Sequence, residues 1–152
     1  MSPSFDTLGF GFLNRYVQDE TARIPIRWYV LNIGRRIRSS DALMKKLRIL
    51  VADDHALMRR GIKTLLESHA GWEVCGEART GRDAVAMAET LKPDIVILDI
   101  SMPDLNGVDA AKRIRKISSN SEVLILSMHY SEQLIREILE GGCSRIYRKV
   151  GF

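Results

Sequence analysis

Cysteine is nearly absent from this 152-residue chain: Cys75 and Cys143 are the only two. Their separation fits neither a metal-binding nor a redox motif, so disulfide scaffolds and zinc modules are excluded. Long apolar runs are missing too. Stretches such as residues 95–98 fall far short of the roughly 20 residues a membrane helix needs. The first residues lack the charged start and apolar centre of a secretion signal. Internal repeats and low-complexity tracts are absent. These absences lead to the expectation of a soluble, cytoplasmic protein with no membrane partner.

Apolar residues make up 45% of the chain, which is ample for a buried core. The net charge of +4 is unevenly spread. Residues 1–46 carry eight Lys and Arg against four acids, whereas residues 47–152 hold fifteen of each sign. The basic character therefore belongs to the front piece, and its Arg cluster at 35–38 reads as a solvated run rather than a nucleic-acid site.

From residue 47 onward short aliphatic runs alternate with amphipathic ones. "LRILVA" (47–52), "WEVCGEA" (72–78), "DIVILD" (94–99) and "EVLILS" (122–127) read as strands, and "SRIYRKV" (144–150) as a charged fifth. Residues 56–68 read as a helix with Leu57, Ile62, Leu65 and Leu66 on one face. Residues 81–91 form a second, with Val85, Ala88 and Leu91 inward, stopped by Pro93. Residues 108–117 form a third on Val108, Ala111 and Ile114, and 131–142 a fourth with a Ser cap and a glycine stop. Strand and helix in this alternation give βαβ units, an α/β class and a parallel sheet covered on both faces.

"RILVADDH" (48–55) runs a buried segment into two adjacent carboxylates, Asp53 and Asp54, and the third strand ends on Asp99. Ligands of open α/β sheets bind beyond the carboxyl ends of the strands. If the first and third strands are neighbours, three acids meet there. No glycine-rich phosphate loop follows the first strand, which disfavours a nucleotide site. Converging carboxylates without a His or Cys in the cluster suit a hard divalent cation, Mg2+ first or Mn2+. The plainer reading makes each acid a helix cap or a solvated loop end, which would suffice for Asp54 alone. His55 and His69 read as surface residues outside any cluster.

"LRILVADDHALMRRGIKTLLE", "PDIVILDISMPDLNGVDAAKRIR", "VLILSMHYSE" and "EGG" closely resemble the receiver domain of two-component response regulators. They are most similar to the NarL/FixJ (LuxR-type) transcription regulators of the CheY-like superfamily. The resemblance covers roughly residues 44–142. It implies a flavodoxin-like, doubly wound sheet of five parallel strands in the order 2-1-3-4-5. It also implies that Asp99 is the phosphoacceptor, taking a phosphoryl group from a sensor histidine kinase. Asp53, Asp54, Asp99 and the backbone carbonyl of Ser101 would then hold the metal, while Ser127 and Lys149 contact the phosphoryl oxygens. Pro103 and Gly107 would shape the loop after Asp99, and the side chains of Ser101 and His129 would tune dephosphorylation. Such a domain is a phosphoacceptor rather than a dedicated enzyme. An aspartate-dependent phosphatase would need a second acid two residues beyond its nucleophile, where this chain has Ser101. Phosphorylation would rearrange the surface, with homodimerisation as one outcome.

The family pattern breaks in three places. Ile146 occupies a switch position where receivers usually carry an aromatic residue. Residues 1–43 match nothing in the family and are expected to be an extension of unknown role, read first as the product of an upstream start codon. The alternative is a real appendage: Ile26, Val30, Ile33 and Ile37 have helical spacing behind Pro25, and such a helix would cover an exposed sheet face. Residues 44–152 are expected to be a receiver cut short after strand five, with its last helix and DNA-binding output domain missing, so that DNA is reached only through the absent part. A one-nucleotide frameshift near Gly142 is one explanation. A pseudo-receiver that only binds protein is the rival functional reading.

Overall fold

The computed structural model describes residues 26–37, 45–127, 131–141 and 145–148. Ten elements follow in chain order: α1 (Ile26–Ile37), β1 (Leu47–Ala52), α2 (Ala56–Glu67), β2 (Trp72–Ala78), α3 (Gly81–Leu91), β3 (Ile95–Asp99), α4 (Gly107–Ile117), β4 (Glu122–Ser127), α5 (Glu132–Glu140) and β5 (Arg145–Arg148). The five strands pair in parallel in the order β2-β1-β3-β4-β5. The expected strand order is therefore observed.

The central strands are aliphatic because both their faces are covered. Alternate residues feed two separate cores. Leu50, Ala52, Val96, Leu98, Val123 and Ile125 pack with α3, α4 and α5 on one face. Ile49, Val51, Ile95, Ile97, Leu124 and Leu126 pack with α2 on the other, where α1 contributes Ile26, Val30 and Ile33.

Local chemistry fixes where helices start and stop. Thr80 accepts the Asp83 N–H at 3.1 Å to open α3, Asn106 accepts that of Asp109 at 2.9 Å to open α4, and Ser131 accepts that of Leu134 at 3.1 Å to open α5. Lys92, in the left-handed region, ends α3 ahead of Pro93.

The expected faces hold for α4, whose Val108, Ala111 and Ile114 are buried. They fail for one residue of α2: Leu57 is 85% exposed. Residues five apart on a helix differ by about 140°, so Leu57 cannot share the face of Ile62. The inward position belongs instead to Arg59, buried together with Ile62 and Leu66.

Candidate functional site

The pairing register assembles the site. Ala52 on β1 lies opposite Leu98 on β3, so Asp53 and Asp99 emerge side by side at the carboxyl edge. On the other flank Asp99 pairs with Leu126, which places Ser127 one residue further along β4. Carboxylate oxygens of Asp53, Asp54 and Asp99 and a ring nitrogen of His55 all lie within 4.8 Å of one another. Asp53, Asp99 and Ser127 are buried, at 0%, 4% and 5% exposure. The Asp54 side chain is one-third exposed and opens the site to solvent.

Asp53 is held from three directions. Its N–H donates to the Ala78 carbonyl at 3.2 Å, which ties it to the end of β2. Its carbonyl accepts from Arg59 Nη1 at 2.7 Å, and its Oδ1 accepts the His55 N–H at 2.9 Å. Arg59 in turn lies 3.8 Å from Glu77, which also accepts from Lys63 Nζ at 3.0 Å and raises the Lys63 pKa chiefly through that hydrogen bond. Sequence reasoning missed Arg59 as the residue that clamps this strand end. The signal was present, since Arg59 precedes Ile62 by three and Leu66 by seven positions on the inward stripe of α2.

His55 requires a correction. It is exposed, as expected, yet it does not stand outside the cluster. Its Nδ1 lies 2.8 Å from Asp54 Oδ1 and 3.3 Å from Asp53 Oδ1. The turn into α2 folds the imidazole back over both acids, which linear spacing does not reveal.

The loop after Asp99 returns tightly. Gly107 N–H donates to the Ile100 carbonyl at 2.9 Å, and a Cβ at Gly107 would sit 2.1 Å from the Asp99 carbonyl oxygen. Only glycine fits that contact. Asp104 takes φ 66° within the loop, a conformation Asp tolerates better than most residues. Pro103 and Ser101 lie exposed in it, Ser101 two residues beyond Asp99. Ile146 sits on β5 opposite Ile125. Lys149 and His129 lie outside the described residues.

Oxygen donors dominate this arrangement, and two of the three carboxylates are withdrawn from water. Such a set fits a small, hard divalent cation, whose charge would offset the mutual repulsion of the acids. The buried hydroxyl of Ser127 stands at the end of the next strand, on the far side of Asp99 from Asp53.

Comparison with known proteins agrees with this geometry. The chain is 43% identical over 95 residues to the chemotaxis protein CheY of Thermotoga maritima, covering 62% of this chain and 78% of that protein. It is 35% identical over 99 residues to the transcriptional regulatory protein DegU of Brevibacillus brevis, covering 65% of this chain but 42% of that relative. The chain thus spans less than half the length of this regulator. Among solved structures, the signal receiver domain of the putative response regulator NarL from Mycobacterium tuberculosis superposes with a TM-score of 0.67 at 30% identity, covering 71% of this chain and 87% of that one. The response regulator receiver domain profile matches residues 49–150, about two-thirds of the sequence, and the chain belongs to that family.

Proposed function

We propose that this chain is a phosphoacceptor receiver in which Asp99 takes a phosphoryl group from the phosphohistidine of a sensor kinase. One Asp99 carboxylate oxygen forms the new bond to phosphorus as the nitrogen–phosphorus bond breaks, and the imidazole leaves with the electron pair. Asp54 and Asp99 would hold Mg2+ (or Mn2+) directly, Asp53 largely through water, and the Ser101 carbonyl would complete the protein ligands. The metal supplies charge neutralisation for the phosphoryl oxygens, the largest electrostatic requirement of such a transfer. Ser127 would donate its hydroxyl to a phosphoryl oxygen, and Lys149 would place a point charge on another. Receivers of this kind act as switches rather than dedicated enzymes.

The observation that carries this reading is the meeting of Asp53, Asp54 and Asp99 within 4.8 Å. Similarity to the transcriptional regulatory protein DegU supports control of transcription through an output domain. Homodimerisation on phosphorylation would be the accompanying change of surface. No helix among the described residues is long and apolar enough to cross a membrane, consistent with a cytoplasmic site of action.

Incubation with Mg2+ and acetyl phosphate tests the proposal. One hydroxylamine-sensitive phosphoryl group should appear by intact mass, and Asp99→Asn should abolish it. A well-folded sample that takes no label, or labels equally after Asp99→Asn, would overturn the phosphoacceptor reading. Ile146, in place of the usual aromatic residue, favours a second reading as a pseudo-receiver that binds protein without switching. Stoichiometric labelling that changes amide exchange in β4 would dismiss that alternative.

A further inference from the structure

The sheet has two faces of unequal cover. Among the described residues, three helices shield one face, whereas the other has α2 and, from upstream of the family match, α1. The contact with α1 is well formed. Ile26, Val30 and Ile33 are 2%, 0% and 3% exposed and lie within about 60° of one another around the helix axis, while Arg27, Arg35 and Arg36 face solvent. Gly34 is buried on the same side, and a Cβ there would lie 3.0 Å from Leu47 Cδ2. The helix therefore rides close against the start of β1. Its apolar stripe shares one cluster with Ile49 and Val51 of β1, Ile95 and Ile97 of β3, and Leu124 and Leu126 of β4. Those three strands end at or beside Asp53, Asp99 and Ser127.

We propose that this sheet face is an interaction surface whose partner is the chain's own upstream helix. The folded unit then includes Ile26–Ile37, and the stretch matched by the family depends on a segment that precedes it. This gives residues 26–37 a role where the sequence alone favoured none. The inference stands on packing and is independent of whether Asp99 accepts phosphate. Without α1, the aliphatic side chains of β1, β3 and β4 on this face would lose a cover, leaving an apolar patch of the kind that drives self-association.

Hydrogen–deuterium exchange on the full chain tests this, with Val30→Asp placing a charge in the contact, Gly34→Val wedging it apart, and Leu57→Asp as an exposed control. In the unmodified protein the amides of residues 30–37 should be protected along with those of β1 and β4. Val30→Asp should speed exchange in α1, β1 and β4 by roughly a hundredfold, and Gly34→Val should do so less, while Leu57→Asp changes neither strand. Loss of cooperative folding in Val30→Asp but not in Leu57→Asp supports the same conclusion. The proposal fails if α1 of the unmodified protein exchanges like a free peptide while β1 and β4 stay protected. It fails equally if both α1 variants loosen α1 and leave the strands unmoved.

Discussion

At the scale of single residues, Cys75 illustrates how position sets chemistry. β1 and β2 slip register between Ile49 and Leu50, which pair with Val74 and Gly76, so Cys75 is the extra residue of a bulge. Its Sγ lies 3.5 Å from the Ile49 carbonyl, and burial pushes the thiol above its ordinary range. A raised thiol stays neutral, so any stability linked to it is present below the ordinary thiol pKa and lost as pH rises through the folded value. Alkylation resolved at the Cys75 peptide should therefore be slow near pH 8 and rise only at higher pH, while the same peptide in urea reacts fast. Equal rates in the two conditions would contradict the burial argument. The site residues were legible to different degrees for related reasons. Asp53, Asp54 and Asp99 stood out because carboxylates at the ends of aliphatic runs are costly without a purpose. Arg59 and His55 did not, because their roles depend on how α2 turns over the strand ends.

Elements were read well wherever one physical signal dominated. The strands are short aliphatic runs, α3 and α4 show apolar residues at helical spacing, and α5 has its Ser cap and glycine stop, whereas the caps Thr80 and Asn106 emerge only from the structure. Strand order came only from resemblance, since no local pattern encodes which strand lies beside which. α1 was legible as an amphipathic stripe, yet the stripe could not show what it packs on. Burying Ile26, Val30 and Ile33 contributes on the order of 5 kcal/mol before the entropy of ordering the helix is set against it. Two glycines separate the demands of an element from those of a junction. Gly61, inside α2, has nothing within 4 Å of a built Cβ, so Gly61→Ala should stabilise by about 0.5–1 kcal/mol through helix propensity. At Gly107 the same methyl meets the Asp99 carbonyl oxygen at 2.1 Å, so Gly107→Ala should destabilise by at least ~2 kcal/mol. Urea midpoints that move in the same direction for both variants would refute this distinction.

For the whole molecule, the carboxyl edge of the sheet is a place where local charge should govern global stability. Three acids that converge within 4.8 Å repel one another, and whenever no cation is bound only the protein's own groups, the His55 N–H and imidazole among them, offset that repulsion. A cation that binds only the folded chain shifts the unfolding equilibrium by mass action, by about 2.7 kcal/mol at a hundred times its dissociation constant. For a chain of this size that corresponds to a rise of roughly 5–10 °C in melting temperature. Asp54→Asn is the informative variant, because Asp54 is the most exposed of the three and its replacement disturbs the core least. In EDTA this variant should melt above the unmodified protein, since one repulsive charge is gone. In excess Mg2+ the order should reverse, because the variant gains little from the metal. Higher ionic strength should narrow the EDTA difference by screening the repulsion at the exposed mouth of the site. A variant that melts lower in EDTA, with both proteins gaining equally from Mg2+, would mean that these acids share an edge of the sheet but not an ion.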